Sequence, residues 1–185
     1  MRIVGGRFKG RALTAPSGRD IRPTSDRLRE AVFNILEHAY DDPVSGARVL
    51  DLFAGTGALG IEALSRGARS ALFVDAGLEA RGIIRANLEA LGIMGLARIS
   101  KRDVAHLGPA GAQGGFTLVF ADPPYGKGLA GKALAALLRG NWLAPGALVV
   151  VEEAKGAEID VPDGFSVEET RTYGDTQVMV LRLKD

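Results

Sequence analysis

The chain has 185 residues, 46% of them hydrophobic, and a formal net charge of +1; that suffices for one full core, most simply a single domain over residues 1–185. No apolar run reaches the length of a membrane span and the first residues lack a signal peptide's apolar segment, so a cytoplasmic protein with no membrane partner is expected. Cysteine is absent and His38 and His106 are the only histidines, which excludes disulfides and thiolate zinc sites and predicts no metal.

Residues 1–16 alternate and carry Gly5-Gly6 and Lys9-Gly10, predicting a small hairpin within a basic N-terminal extension, residues 1–22. Across residues 1–29, Arg2, Arg7, Lys9, Arg11, Arg19, Arg22, Arg27 and Arg29 stand against Asp20 and Asp26, a charge of +6, and the remainder carries −5. A basic segment on an acidic body suits a phosphate-backbone partner, and a solvated arginine-rich face accounts for the charge equally well.

Pro23-Thr24-Ser25 then opens a helix with Leu28, Val32, Ile35, Leu36 and Ala39 on one face. From Ala47 the pattern becomes strand, loop, helix, repeated. Residues 47–52 form an apolar strand, 55–66 a loop and helix, and 70–74 a strand reaching Asp75. Residues 78–91 form a helix burying Ile83, Ile84, Leu88 and Leu91, and 97–101 a weaker strand before Asp103. Strand 116–121, a helix near 129–138 and a buried strand at 147–151 follow. Trp142 is expected to pack inside, and Glu152 and Glu153, at a strand end, to be solvated. Such alternation implies a mostly parallel sheet with helices on both faces, an α/β fold. Residues 166–173 and 177–183 alternate around Gly174-Asp175, a two-residue hairpin turn that adds an antiparallel edge.

Two motifs carry chemistry. Asp51-Leu52-Phe53-Ala54-Gly55-Thr56-Gly57-Ala58-Leu59-Gly60 leaves the first strand and opens a helix. Its glycines let backbone approach a ligand, and the spacing is also that of a dinucleotide fingerprint. A carboxylate at the tip of that strand would repel a pyrophosphate, yet it can pair with an ammonium. Asp51 therefore favours S-adenosylmethionine over NAD. Asp75 can accept from both ribose hydroxyls and Asp103 from an adenine amine, although either alone is more often a helix cap.

Asp122-Pro123-Pro124-Tyr125 leaves the strand at 116–121. Proline rings fix φ and remove donors, so the carbonyls of Asp122 and Pro123 are stiff acceptors beside an aromatic surface. A planar base bearing an amino group matches them. If these two strands are neighbours where strand order reverses, the motifs form one site. Gly126-Lys127-Gly128 beyond it reads as an exposed loop.

In these motifs the sequence resembles the class I S-adenosylmethionine-dependent methyltransferases that carry an (Asp/Asn)-Pro-Pro-(Tyr/Phe) motif. Within them it is similar to the RsmD-type bacterial methyltransferases. Segments 2–11, 22–30, 51–67 and 122–125 match in order, covering nearly the whole chain. The resemblance implies a Rossmann-like, seven-stranded sheet and S-adenosyl-L-methionine as cofactor. It further implies methylation of the exocyclic N2 amine of a guanine in 16S ribosomal RNA, of the guanine 966 type, by a monomer acting on ribosomal RNA or a small-subunit particle. Asp51, Phe53, Ala54, Gly55, Gly57, Asp75, Asp103, Val104 and Asp122 would hold the cofactor. Asp122, Pro123, Pro124 and Tyr125 would carry catalysis, and Arg7, Lys9, Arg11, Arg22 and Arg27 would bind RNA. One departure is Asp75-Ala76-Gly77-Leu78, where a glutamate followed by a polar residue is more usual.

The rival functions are a DNA adenine-N6 or cytosine-N4 methyltransferase, which leaves no room for a target-recognition domain, and a protein glutamine methyltransferase, which more typically has Asn at position 122. An NAD oxidoreductase leaves the Asp-Pro-Pro-Tyr motif unexplained. A non-catalytic RNA-binding module for ribosome assembly has no need of an intact site.

Overall fold

The computed structural model describes residues 1–16 and 24–185. Helix α1 (Asp26–Ala39) begins at Ser25, whose hydroxyl accepts the Leu28 N–H at 3.1 Å, satisfying one of the helix's open donors. Strand β1 (Arg48–Leu52), helix α2 (Ala58–Ser65), strand β2 (Ser70–Val74), helix α3 (Leu78–Leu91) and strand β3 (Ala97–Ser100) follow. Strand β4 (Phe116–Ala121), helix α4 (Leu129–Arg139) and strand β5 (Leu143–Ala154) lead to the hairpin of β6 (Phe165–Tyr173) and β7 (Thr176–Leu183).

The seven strands make one sheet in the order β3-β2-β1-β4-β5-β7-β6. Strands β1 to β5 pair in parallel, and β7 runs antiparallel between β5 and β6. Strand order reverses between β1 and β4, where Leu52 lies beside Ala121. Both motif-bearing exits therefore open at one switch point, which meets the condition the sequence left open.

Alternate residues on each strand serve opposite faces. Val49, Phe73, Leu118 and Phe120 meet α1, α2 and α3 through Phe33, Leu36, Ile61, Leu64 and Ile84. Leu50, Leu52, Val119 and Val149 meet α4 through Leu134 and Leu137, with Val104 and Leu107 filling beside it. Among the described residues the layers are thus unequal, three helices against one. Trp142 is fully buried near Phe116, and its indole N–H donates to the Gly108 carbonyl at 2.9 Å, a packing role as expected.

Residues 1–16 form the small hairpin expected: an antiparallel bridge joins Arg2 and Ala12, and across the two arms Ile3 N–H donates to the Arg11 carbonyl at 3.0 Å, Gly10 N–H to that of Ile3 at 2.8 Å and Leu13 N–H to that of Met1 at 2.9 Å. Other backbone donors of the segment go to α2. Val4 and Gly5 N–H donate to the two Glu62 carboxylate oxygens at 3.0 and 2.9 Å, and Phe8 N–H donates to the Ser65 hydroxyl at 3.0 Å. The chain comes so close that a Cβ on Gly6 would lie 2.0 Å from the Ser65 carbonyl oxygen.

Two expectations are corrected, and Arg29 is the first. Counted from sequence with the basic segment, it is wholly buried, its Nε donating to Glu62 Oε1 at 3.1 Å and its Nη2 to the Arg2 carbonyl and to Asp26. It binds the protein, not a partner. Second, Glu152 and Glu153 are buried, because β5 runs to Ala154 and pairs there with Val178 and Gln177 of β7.

Candidate active site

A cleft of about 680 Å³ opens at the switch point. The glycine loop forms one wall. Phe53 holds φ at 54°, and Gly55 and Gly57 hold 58° and 79°, a left-handed run that turns the chain sharply from β1 into α2. A non-glycine residue in this region is strained, and such strain collects at ligand sites. Ala54 N–H donates to the Val74 carbonyl at 3.1 Å, tying the loop to β2. Gly60 has another role: a Cβ there would sit 2.4 Å from the Phe73 ring, so its absence lets α2 lie close on the sheet.

Asp51 lies at the floor, only 1% exposed, with Oδ2 accepting the Gly60 N–H at 3.0 Å. Burial pushes its carboxyl well above the usual aspartate range; the Gly60 bond opposes this, and the charges of Asp122 and Asp75 add to the rise. Asp75, after β2, accepts Gly55 N–H at 3.0 Å and Gly77 N–H at 2.8 Å, joining two cleft loops. Each carboxylate oxygen has a second lone pair with which to receive a diol.

Asp103 and Val104 also line the cleft. Asp103 is largely exposed, and its carboxylate is engaged locally: it pairs with the His106 ring at 3.2 Å and accepts the Ala105 N–H at 3.0 Å. The His106 hydrogen bond, then that of Ala105, holds it below the usual range. Asp103 thus caps a 3₁₀ turn at the cleft edge, the commoner role for a lone strand-end aspartate.

The opposite wall is Asp122, Pro123, Pro124 and Tyr125, joined with the glycine loop in one cavity. Asp122 Oδ2 accepts from the Thr24 hydroxyl at 3.0 Å. The Tyr125 hydroxyl bonds that of Thr176 at 2.8 Å, and Gly126 N–H donates to Glu153 Oε1 at 3.1 Å. The ends of β5 and β7 therefore fix the tyrosine from beneath. Sequence reading missed Thr24, Thr176 and Glu153 as supports. It also missed Leu78, which is 81% exposed at the cleft wall. A leucine directly after Gly77, in the turn that follows the β2 strand end, is its one local signal.

The basic residues divide. Arg7, Lys9, Arg11 and Arg27 are exposed, although Arg11 also donates to the Ala90 carbonyl and the Arg7 guanidinium lies over the Phe8 ring. Arg22 lies outside the described residues.

The residues present fit S-adenosylmethionine. A buried carboxylate suits a cationic methionine moiety, the two-loop carboxylate suits a ribose, and the bare Leu78 side chain suits the face of a base. A mostly parallel seven-stranded sheet with an antiparallel β7, a glycine loop at the switch point and Asp-Pro-Pro-Tyr beside it define a Rossmann-like methyltransferase.

Residues 1–182 match the family described as Conserved hypothetical protein 95. The chain belongs to that family, the RsmD family of methyltransferases. It is 35% identical over 175 residues to ribosomal RNA small subunit methyltransferase D of Escherichia coli strain K12, covering 94% of this chain and 85% of that protein. Its identity to the Haemophilus influenzae protein of the same name is 33% over 176 residues, covering 94% and 89%. The solved structure of Escherichia coli yhhF superposes with a TM-score of 0.85 at 31% identity, covering all of this chain and 98% of that one.

Proposed function

We propose that this protein transfers methyl from S-adenosyl-L-methionine to the exocyclic N2 amine of a guanine in 16S ribosomal RNA. The observation that carries this reading is one cavity lined by both the glycine loop and Asp122-Pro123-Pro124-Tyr125. Relatives named for methylation of small-subunit ribosomal RNA favour that substrate over DNA.

The cofactor supplies an electrophilic methyl group. Asp51, Asp75 and Leu78 hold it; Asp122 and the Pro123 carbonyl accept hydrogen bonds from the guanine amine. The amine's lone pair is delocalised into the ring, so acceptors that stabilise charge developing on nitrogen lower the barrier. Tyr125, braced by Thr176, presents its ring to the base and fixes the angle of approach. A base must be unstacked to enter such a cleft.

The test incubates the protein with methyl-labelled cofactor and either 16S RNA or small-subunit particles, then digests the RNA and identifies the labelled nucleoside by mass spectrometry. N2-methylguanosine is expected. Label only in N6-methyladenosine, in N4-methylcytidine or in no nucleoside would overturn the reading.

Two further results are expected. Changing Arg7, Lys9 and Arg11 to Glu should weaken RNA binding and flatten its log–log salt dependence by about 2, at roughly 0.7 per lost phosphate contact. Cofactor affinity measured alongside should not move; an unchanged salt slope would return these residues to a merely solvated face.

For Asp51 the sign follows from its raised pKa. The folded protein keeps this proton where the unfolded chain has lost it, so its contribution to stability is full at low pH and falls as pH rises through the folded value. Asp51→Asn should therefore melt at a higher temperature than wild type at neutral pH. A cation beside Asp51 favours the ionised form, so cofactor affinity should rise with pH over the range where the free protein titrates. Calorimetry should find that dependence flattened, and binding weaker, in Asp51→Asn. A wild-type pH dependence in the variant would remove Asp51 from the cofactor site.

A further inference from the structure

We infer that Thr24 is a positioning residue for methyl transfer, its hydroxyl holding the Asp122 carboxylate in the orientation that receives the amine. The inference rests on the role given to Asp122 above. Thr24 is nearly buried, lines the cleft, and reaches Asp122 across 98 residues of chain with an Oγ1 to Oδ2 distance of 3.0 Å.

The hydroxyl is not consumed by the helix that follows, because Ser25 supplies the α1 cap. Nor is its position left to a loose loop. The Thr24 carbonyl accepts from Arg29 Nη1 at 3.3 Å, and Arg29 is itself held by Glu62 from α2 at 3.1 Å. Glu62 in turn receives Val4 and Gly5 of the N-terminal segment. A buried guanidinium thus sets where the Thr24 hydroxyl stands, and that hydroxyl sets the Asp122 carboxylate.

The chemistry requires such a donor. Asp51 from the end of β1 and Asp75 from the end of β2 share the cleft with Asp122, and neighbouring carboxylates favour protonation. Glu79, Arg102, Asp103 and Tyr125 are the other ionisable groups lining it among the described residues. Behind Thr24 stand Asp26 and Arg29 of α1, and beneath Tyr125 stands Glu153 of β5. A protonated Asp122 oxygen would present a hydrogen to the amine in place of a lone pair. A hydroxyl donating to Asp122 favours its ionised form and fixes the rotation of its carboxylate plane.

The experiment compares Thr24→Val, nearly isosteric but without the donor, with Thr24→Ser, which keeps it. Single-turnover methyl transfer is followed across pH, with S-adenosylhomocysteine affinity measured by calorimetry and folding by circular dichroism. Thr24→Val should retain cofactor affinity within about twofold and lose roughly tenfold or more in rate, the scale of a lost hydrogen bond to a charged group. The acidic limb of its pH profile should move to higher pH, and Thr24→Ser should restore both rate and limb. Thr24→Val at the wild-type rate with an unmoved limb, while Asp122→Ala stays impaired, would overturn the positioning role and leave the role of Asp122 standing. Loss of cofactor affinity in Thr24→Val would also overturn it, assigning the hydroxyl to the cofactor. Should Thr24→Val misfold, a folded Thr24→Ser that loses roughly tenfold or more in rate would overturn it equally.

Discussion

Asp122→Ala should lower single-turnover methyl transfer by about 10²–10³, the scale of losing one preorganised hydrogen bond to a transition state. The variant should still bind the cofactor, since the glycine loop and Asp75 stay intact. Asp75 is tied to Gly55 and Gly77, and neither bond involves Asp122. Asn at the same position keeps an acceptor oxygen without the charge, so it should be less damaging than Ala. Removing one of three crowded carboxylates also relieves Asp51, to whose raised pKa the Asp122 charge contributes. Asp122→Ala should therefore be no less stable than wild type, which separates a catalytic defect from an unfolding one. Tyr125→Ala should impair base positioning strongly. Tyr125→Phe keeps the ring and loses the Thr176 brace, so its effect should be mild. Wild-type transfer by a folded Asp122→Ala would end the catalytic assignment.

The second large effect concerns stability. Glu62→Ala should destabilise the protein by about 3–5 kcal/mol, the usual loss when one partner of a buried ion pair is removed. Glu62 and Arg29 are both completely buried. Without Glu62 the Arg29 guanidinium keeps Asp26 and backbone acceptors, but loses the counter-charge beside its Nε. Val4 and Gly5 N–H and Arg66 Nε lose their acceptor as well. At roughly 2–4 °C per kcal/mol for a chain of this size, the melting temperature should fall by about 6–20 °C. Limited proteolysis should then cut first within residues 1–16, because α2 no longer holds them. A fall of less than about 2 °C with an intact N-terminus would show that Glu62 does not clamp this segment.

Much of the fold was legible because its signals are local. Apolar β-branched runs at 70–74 and 116–121 gave strands at those same bounds, and the spacing of Ile83, Ile84, Leu88 and Leu91 gave α3. Gly174-Asp175 marked the hairpin of β6 and β7, since two-residue turns with positive φ favour such residues. The two site motifs were likewise legible, because each sits at the exit of a strand and is built from residues poorly suited to continuing it.

What the sequence could not reveal depends on partners far along the chain. Arg29 reads as one more basic residue on a helix near the N-terminus, and only Glu62, 33 residues on, removes it from solvent. Glu152 and Glu153 read as a polar strand end until β7 covers them from the other side. The N-terminal segment closes the hairpin that its alternation suggests, but that Val4, Gly5 and Phe8 turn their donors to α2 depends on side chains some sixty residues away. Thr24 is an ordinary threonine before a helix until the fold brings it to Asp122. The sequence by itself determined most of the strands and helices and the two motifs that line the cleft. Whether β1 lies against β4, which charges are buried, and which hydroxyl meets the Asp122 carboxylate were decided only by the tertiary structure. Local pattern sets backbone conformation, but burial and hydrogen-bond pairing are properties of residues brought together from distant parts of the chain.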